Sequence, residues 1–356
     1  MSYTPAVSVI MPIYNAAPFL EESLGGLLQQ TLQNMEIICV NDGSTDNSPE
    51  IVRAYASADA RIRIIDKPNG GYGSAMNAGL TAATGEYIGI LEPDDFAEVT
   101  MFERLYETAV QNHADLVKSN YWAYKTSDHS NTFVEPLWEK QYNIVTSAEV
   151  DPKIVIGPAC IWSAIYKKAL IDDNGIRFTE TPGASYQDTA FAFKVLACAK
   201  RVVFLKDAFL HYRTDNENSS VNSKGKVFSI CDEFQSIQDF LNESSSRRSR
   251  FSRVLQVHKL RVYGWNLRRL APEYKDLFRT QVALDFIRAE YDGFLHSEDF
   301  SAKEWQQLQD HIDFYYNSPA KRELTSLKHS LSYRAGRVLT FVPRKVRDTI
   351  SGRKRS

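Results

Sequence analysis

The chain has 356 residues, 43% hydrophobic and 12% aromatic, which is enough to form one large domain or two smaller ones. Its formal net charge of −2 is unevenly distributed, because residues 328–356 carry nine Lys or Arg and one acid, Asp348. The first 327 residues therefore carry −10. A body this acidic binds a phosphate backbone poorly, which argues against nucleic acid as the main partner.

The cysteines and the N-terminal segment indicate where the protein is expected to reside. The four cysteines, at positions 39, 160, 198 and 231, are far apart, which predicts free, mostly buried thiols in a reducing compartment. The N-terminal segment has no basic region, and Pro5 and Pro12 break its apolar stretch. No apolar run approaches the ~20 residues of a membrane helix. We therefore expect a cytoplasmic protein without a signal peptide.

Up to about Asn120, short apolar runs alternate with helical patterns, which predicts α/β units that feed a mostly parallel sheet. The predicted strands are Val7–Ile13, Glu36–Val40, Arg61–Ile65 and Glu86–Leu91. The predicted helices between them are Ala17–Gln30, Ser48–Ala58 and Ser74–Ala83. Three such units in succession favour a Rossmann-like nucleotide-binding half-sheet flanked by helices.

The rest of the chain falls into an aromatic-rich stretch and a helical one. Residues 121–212 hold many Tyr and Trp and are interpreted as a second half of the same domain, the half that would receive an acceptor. After Lys224, apolar residues recur at helical spacing, which predicts a helical C-terminal region. Its polar stretch Asn242–Arg250 is predicted to be a loop between helices.

Polar residues follow the predicted strands where ligands bind in open α/β sheets. Tyr14 and Asn15 follow the first strand, the segment 41–46 (NDGSTD) follows the second, and the segment 92–95 (EPDD) follows the fourth. No GxGxxG follows the first strand, which argues against a dinucleotide enzyme.

The acids Glu92, Asp94 and Asp95 occupy three of four positions at a strand end that Pro93 terminates. Acids this close repel unless a cation compensates, and their hard oxygens suit Mg²⁺ or Mn²⁺ bridging a nucleotide diphosphate. The alternative is a solvated acidic turn at the start of the next helix.

Six segments in order resemble a bacterial family 2 glycosyltransferase with the GT-A fold, over most of residues 7–221. They are VSVIMPIYN, VNDGSTDNS, NGGYGSAMNAG, YIGILEPDD, YQDTAFAF and HYRTDNENSS. The resemblance implies a catalytic domain over residues 1–222, with a nucleotide-sugar half (1–120) and an acceptor half (121–222). A helical region (223–327) and a basic tail (328–356) would follow.

The resemblance also implies a donor site. Pro12, Tyr14 and Asp42 would form the base pocket, with Tyr14 stacking on the base and Asp42 accepting from its imide, and uridine is the expected base. The structural alternatives are a core aromatic for Tyr14 and a turn-forming residue for Asp42. Glu92 would bind the ribose.

The remaining ligands of the donor follow in the same way. Asp94 would bind the metal, with Asp95 as a supporting or alternative ligand. His211 would be a further metal ligand or a structural donor. Arg213 would neutralise the leaving diphosphate together with one of the serines at positions 219 and 220.

Asp188 matches the family's catalytic base, which takes the proton of the acceptor hydroxyl as that oxygen attacks the anomeric carbon and inverts its configuration. The alternative is that Asp188 caps the helix that follows it. Gln187 stands where the family usually has Glu, and Met76 stands where Arg is commoner. These two departures leave any electrostatic role of the two positions open.

The resulting expectation is sugar transfer from a UDP-sugar to a hydroxyl of a glycan or lipid-linked acceptor in bacterial surface polysaccharide synthesis. One rival is a sugar-nucleotide-binding scaffold without catalysis. The other is a nucleotidyltransferase, whose Gly-rich basic loop after the first strand is missing. The basic tail predicts either a solvated end or peripheral binding to the anionic inner face of the membrane.

Overall fold

The computed structural model describes residues 4–135, 141–216 and 226–317. The chain divides into two compact units, residues 1–252 and 253–356. The predicted boundary at residue 222 stays a prediction, because residues 217–225 lie outside the described part. So do Ser219, Ser220 and the basic tail.

Strands and helices alternate through the first unit, and further helices follow in the second. The strands are β1 (Val7–Ile13), β2 (Met35–Asn41), β3 (Ile62–Asp66), β4 (Tyr87–Ile90), β5 (Phe96–Ala97), β6 (Leu116–Lys125), β7 (Ser130–Val134), β8 (Val145–Thr146), β9 (Ala164–Lys167) and β10 (Val202–Arg213). The helices are α1 (Ala17–Leu28), α2 (Ser48–Ala58), α3 (Tyr72–Ala82), α4 (Met101–Asn112), α5 (Lys168–Asp173), α6 (Gln187–Cys198), α7 (Ser229–Asn242), α8 (Ser245–Arg269), α9 (Pro272–Tyr291) and α10 (Ala302–Asn317).

Within the described residues the strands form one sheet in the order β3-β2-β1-β4-β9-β6-β10-β5, with β7 on β6 and β8 on β10. The four strands predicted from the sequence are confirmed and pair in parallel as β3-β2-β1-β4. Every residue of β1 and β2 is buried, which explains why both strands read as near-continuous apolar runs.

The second half of the sheet is mixed rather than parallel. Strand β9 runs antiparallel to both β4 and β6, whereas β10 is parallel to β6 and irregular between Phe204 and Leu210. Strand β5 pairs antiparallel with the far end of β10, with His211 opposite Phe96. This pairing brings the acids that follow β4 beside the residues that end β10.

The helical C-terminal region is confirmed by α7, α8, α9 and α10. The predicted loop at Asn242–Arg250 is wrong, because α7 ends at Asn242 and α8 already begins at Ser245. Arg247 pairs with Glu243 (3.2 Å) and lies over the ring of Phe240 at 3.9 Å. These contacts join the start of α8 to the end of α7, so the polar residues belong to the helices rather than to a long loop. No helix in the described ranges combines the length and apolar character needed to span a membrane.

Candidate functional site

Asn15 ties the loop after β1 to the loop after β2. Its Oδ1 accepts a hydrogen bond from the backbone N–H of Thr45 (2.7 Å), and its own N–H donates to Ser44 Oγ (3.1 Å). Asn15 has a φ of 51°, a left-handed conformation that Asn tolerates. Pro12 is buried in β1, while Tyr14 is 53% exposed at this edge of the sheet, where its ring can stack on a base.

Asp42 is 3% exposed and holds the loop that leads into α3. Its Oδ1 accepts from Lys67 Nζ (2.5 Å) and from the N–H of Gly70 (2.9 Å), and its Oδ2 accepts from the N–H of Gly71 (2.8 Å). A carboxylate offers about four acceptor positions. Oδ2 therefore keeps one position for a ligand donor while the other three organise the protein.

Gly71 permits close contact between this loop and the loop that precedes α6. Its φ is 86°, and a Cβ there would lie 2.6 Å from the carbonyl oxygen of Thr181 and 2.8 Å from the nitrogen of Gly183. The adjacent N–H of Tyr72 donates to the carbonyl of Gly183 (3.2 Å). The NGGYG motif thus joins the first half of the unit to the segment that carries Asp188.

The acid loop, Glu92–Asp95, follows β4. Glu92 is half-buried, and its Oε1 accepts a hydrogen bond from the hydroxyl of Tyr72 at 2.6 Å. Burial raises the pKa of Glu92 to about 8, with the negative charges of Asp94 and Asp188 adding to the rise. The effect of Asp188 on Glu92 means that the acid loop and the start of α6 lie within electrostatic range of each other.

The other two acids of this loop differ in their surroundings. Asp95 is 1% exposed; its Oδ1 accepts from the N–H of Arg213 (2.8 Å), and its Oδ2 is buried without a hydrogen-bond partner. Burial raises the pKa of Asp95 well above its usual range, and the charge of Asp94 acts in the same direction. Asp94 is half-buried and its Oδ2 accepts from Asn216 Nδ2 (2.8 Å).

The acid loop fits a metal ion that is held mainly by the phosphates of a bound substrate. Within the described parts of the chain, no three His, Cys, Asp or Glu side chains are grouped to hold a metal ion by themselves. Mg²⁺ and similar ions are nevertheless commonly bound by one or two carboxylates together with substrate phosphates. The unpartnered Oδ2 of Asp95 is the kind of buried atom that a nearby cation would satisfy.

Arg213 supports the acid loop from the end of β10. It is 4% exposed, and its Nε donates to the carbonyl of Asp94 at 2.8 Å, while its Nη1 and Nη2 donate to Thr126 Oγ1 and to the carboxylate of Glu22. Neutralising a leaving diphosphate requires a guanidinium that reaches the ligand. Three of its five N–H donors are engaged by the protein, and the expected contact of Arg213 with a leaving diphosphate stays a prediction.

His211 is likewise engaged within the protein. Its Nδ1 lies 2.8 Å from Asn131 Oδ1 and its Nε2 lies 2.9 Å from Glu98 Oε1, while its ring stacks on Phe96 at a centroid distance of 4.4 Å. Both ring nitrogens have partners, so neither is available to a metal in this arrangement. Of the two expected roles, the geometry matches the structural donor.

Asp188 is half-buried in the first turn of α6, one residue beyond the start of the helix. The N-cap residue is Tyr186, so Asp188 does not cap the helix. Burial raises the pKa of Asp188 to about 6, and hydrogen bonds from Thr189 and the charge of Lys118 partly oppose the rise. A carboxylate with this pKa is mostly ionised at neutral pH and can still accept a proton, as a general base must.

Comparison with known sequences relates this site to one family. The family model described as Glycosyl transferase family 2 matches residues 8–173. The glycosyltransferase GlyG of Streptococcus pneumoniae is 34% identical over 224 residues, which cover 58% of this chain and 70% of GlyG. The chain belongs to glycosyl transferase family 2.

Another relative within family 2 is the uncharacterized glycosyltransferase EpsJ of Bacillus subtilis, 39% identical over 226 residues. That match covers 60% of this chain and 62% of EpsJ, so the chain matches less than two thirds of that relative's length. The crystal structure of residues 1–349 of Staphylococcus aureus TarS, in complex with UDP-GlcNAc, superposes with a TM-score of 0.69. It is 20% identical and the match covers 87% of this chain and 89% of that 1–349 chain, which confirms the predicted GT-A fold.

The two departures from the family 2 pattern have structural explanations. Gln187 is 1% exposed; its Oε1 accepts from the N–H of Ser185, and its Nε2 donates to Thr181 Oγ1 (2.9 Å) and to the carbonyl of Gly183 (3.1 Å). The neutral amide therefore shapes the loop before α6, and its N–H donors could not be supplied by a Glu. Met76 is fully buried in α3, where a charged side chain would be desolvated.

Three residues at this family 2 site were not identified from the sequence: Tyr72, Lys118 and Cys160. Each interacts electrostatically with Asp188. Lys118 directly follows the apolar residues Leu116 and Val117, but no strand was predicted at this position. The other two lie in segments whose proximity to Asp188 only the tertiary structure defines.

Proposed function

We propose that the chain transfers a sugar from a nucleotide-sugar to an acceptor hydroxyl, with inversion at the anomeric carbon. The observation that carries this proposal is the position of Asp188. Its charge acts on Glu92 of the acid loop, which follows β4 at the edge of the sheet where ligands bind. Membership of family 2 supports the same reaction.

A UDP-sugar is the proposed donor. The exposed ring of Tyr14 would stack on the uracil beside Pro12, and the remaining acceptor position on Asp42 Oδ2 would take the N–H of the base. Glu92 would bind the ribose. The complex of TarS with UDP-GlcNAc supports this class of donor, since the two proteins share a fold.

Mn²⁺ or Mg²⁺ is the proposed cofactor, with Asp94 as its ligand and Asp95 in support. When bound, such a metal would offset negative charge on the donor diphosphate. Within the protein, Arg213 keeps the acid loop in place by donating to the backbone carbonyl of Asp94 and to the side-chain carboxylate of Asp95. We leave His211 out of the proposed ligand set because both its nitrogens have partners.

The proposed transfer is a single displacement. The acceptor oxygen forms a bond to the anomeric carbon as the bond from that carbon to the nucleotide oxygen breaks, and the nucleoside diphosphate leaves with the bonding electron pair. The proton of the acceptor hydroxyl passes to the carboxylate of Asp188. Because attack and departure take place on opposite faces, the configuration of the sugar is inverted.

The proposed acceptor is a glycan or a lipid-linked sugar in bacterial surface polysaccharide synthesis. The resemblance stated above supports this, and the glycosyltransferase relatives agree with it in reaction class. The basic tail, outside the described residues, would bind the anionic inner face of the membrane, where a lipid-linked acceptor is found.

The test is product analysis with a panel of UDP-sugars, Mn²⁺ and short glycan acceptors. Release of UDP with a glycosylated product supports the proposal, and Asp188→Asn should lower turnover at least about a hundredfold while the Kd for UDP stays within a few-fold. Glu50→Gln, in the first turn of α2, is the matched control and should behave as wild type. In a parallel assay with UTP and a sugar 1-phosphate, release of pyrophosphate would identify a nucleotidyltransferase. UDP binding without turnover of any pair would favour the scaffold.

A further inference from the structure

Lys118 lies in the interior of the sheet, beneath the candidate site. It sits in β6 between Ala164 of β9 and Phe204 of β10, and it is 6% exposed. Burying an ammonium group is costly unless other groups compensate it. Burial lowers the pKa of Lys118 to about 8, so the side chain is still mostly charged at neutral pH.

The direct partners of this ammonium group are neutral. Its Nζ donates to the carbonyl oxygen of Cys160 and to Ser163 Oγ (2.9 Å), and Ser163 Oγ in turn donates to the Cys160 carbonyl (3.1 Å). These bonds fasten the segment 160–163 to β6. The same segment packs against α6, whose first turn carries Asp188.

Two groups raise the pKa of Lys118 against the effect of burial: the Cys160 thiol, which acts more strongly, and the Asp188 carboxylate. Burial raises the pKa of the Cys160 thiol, so at neutral pH that group is uncharged and the compensating charge is that of Asp188. The interaction operates in both directions: Asp188 raises the pKa of Lys118 against the effect of burial, and Lys118 lowers the pKa of Asp188. The other titratable groups that interact with Asp188 lie on five different segments and are acids, phenols or a thiol. They are Tyr72, Glu92, Cys160, Tyr166 and Glu233.

We infer that Lys118 is a positioning residue for Asp188, fastening the segment against which α6 packs and supplying the positive charge that keeps this carboxylate ionised before transfer. The inference rests on the proposed function, because it assigns Lys118 to the proposed base. Without the ammonium, burial would favour the protonated form of Asp188 more strongly, because the opposing charge of Lys118 would be lost. A protonated Asp188 already carries a proton and cannot take the proton of the substrate hydroxyl as a general base.

The test follows the carboxyl carbon of Asp188 by NMR in the full chain labelled with ¹³C at the aspartate side-chain carboxyl. The titration is recorded in EDTA without nucleotide, so that only the protein's own charges act, and the Asp188 signal is identified by its loss in Asp188→Asn. Lys118→Met removes both charge and donor, whereas Lys118→Gln keeps a donor and removes the charge. Lys118→Arg restores the charge, and Lys206→Met, an exposed lysine of β10, is the control.

The wild type should titrate near pH 6. Removal of a facing charge should raise the midpoint by roughly 1–3 pH units in both neutral variants, while Lys118→Arg returns toward the wild-type value and Lys206→Met does not move. An unchanged midpoint in folded Lys118→Gln would overturn the inference, even if Lys118→Met does not fold.

Turnover provides a second readout that separates charge from packing. At pH 7 the neutral variants should transfer sugar roughly 2- to 90-fold more slowly, with the rate recovering at higher pH and the donor KM unchanged, as a shift of 1–3 pH units requires. A uniform loss at every pH would indicate a packing role alone. If the wild type transfers no sugar, the proposed function fails, and the NMR midpoint still decides whether Lys118 controls Asp188.

Discussion

His311 in α10 should make the second unit sensitive to acid. The side chain is 6% exposed, and neither ring nitrogen has a hydrogen-bond partner among the residues that the structure describes. Burial lowers the pKa of His311 from 6.5 to about 4, and the positive charge of Arg279 acts in the same direction, while Asp310 opposes them. The folded unit therefore holds this imidazole in its neutral form.

The direction and size of the effect follow from proton linkage. Below pH 6.5 the unfolded chain binds a proton at His311 that the folded chain does not bind until about pH 4. The contribution to the free energy of unfolding is therefore present above pH 6.5 and lost as the pH falls toward 4. At 1.36 kcal/mol per pH unit the loss amounts to about 3 kcal/mol.

The perturbation is His311→Leu, which keeps an apolar side chain of similar size and removes both unpartnered nitrogens. We expect the free energy of unfolding to rise by about 1–2 kcal/mol at pH 7. Between pH 7 and pH 4 the variant should lose about 3 kcal/mol less of its free energy of unfolding than the wild type. The measurement is hydrogen exchange of the α10 amides in the full chain at several pH values. Gln306→Ala, exposed on the same helix, is the control. Equal acid sensitivity of wild type and His311→Leu would refute the reasoning.

Four further outcomes are expected. In urea unfolding, Gly71→Ala should lower the free energy of unfolding more than Gly175→Ala, because a Cβ at Gly71 would meet backbone atoms within 3 Å and one at Gly175 would not. Both positions have a positive φ that costs an alanine about 1–2 kcal/mol, so equal losses of stability would contradict the close packing. Asp42→Asn should lower the free energy of unfolding by about 2–3 kcal/mol, since the ion pair of Asp42 with Lys67 is largely buried, and should also weaken UDP binding. Weaker UDP binding without a loss of stability would mean that Asp42 acts only as a ligand contact. Chelation by EDTA should abolish transfer and Mn²⁺ restore it, with Asp94→Ala losing the response; full activity in EDTA would exclude the metal. Truncation after Leu327 should abolish salt-sensitive co-sedimentation with anionic liposomes and spare transfer to a soluble acceptor; equal liposome binding would refute the anchor.

The sequence alone determined the first half of the fold. Strand β1 and helix α2 have their predicted bounds, and β2, β3 and β4 differ from prediction by one or two residues at their ends. These elements were predictable because strands covered on both faces are almost continuously apolar, and the helices between them are long enough to show their period. Once these strands were predicted, the residues that follow them could be expected to lie together, since the carboxyl ends of parallel strands share one edge of the sheet.

The tertiary structure decided which of those residues face a ligand and which support the protein. Arg213 and His211 lie at the end of β10, which pairs with β5 directly after the acid loop. Their side chains bind residues far away in sequence, such as Glu22, Asn131 and Glu98. Lys118 and Asp188 are 70 positions apart and interact only because segment 160–163 packs between β6 and α6. Local sequence patterns report burial and period, whereas hydrogen-bond partners and electrostatic environments depend on contacts between distant segments, and these form only when the chain is folded.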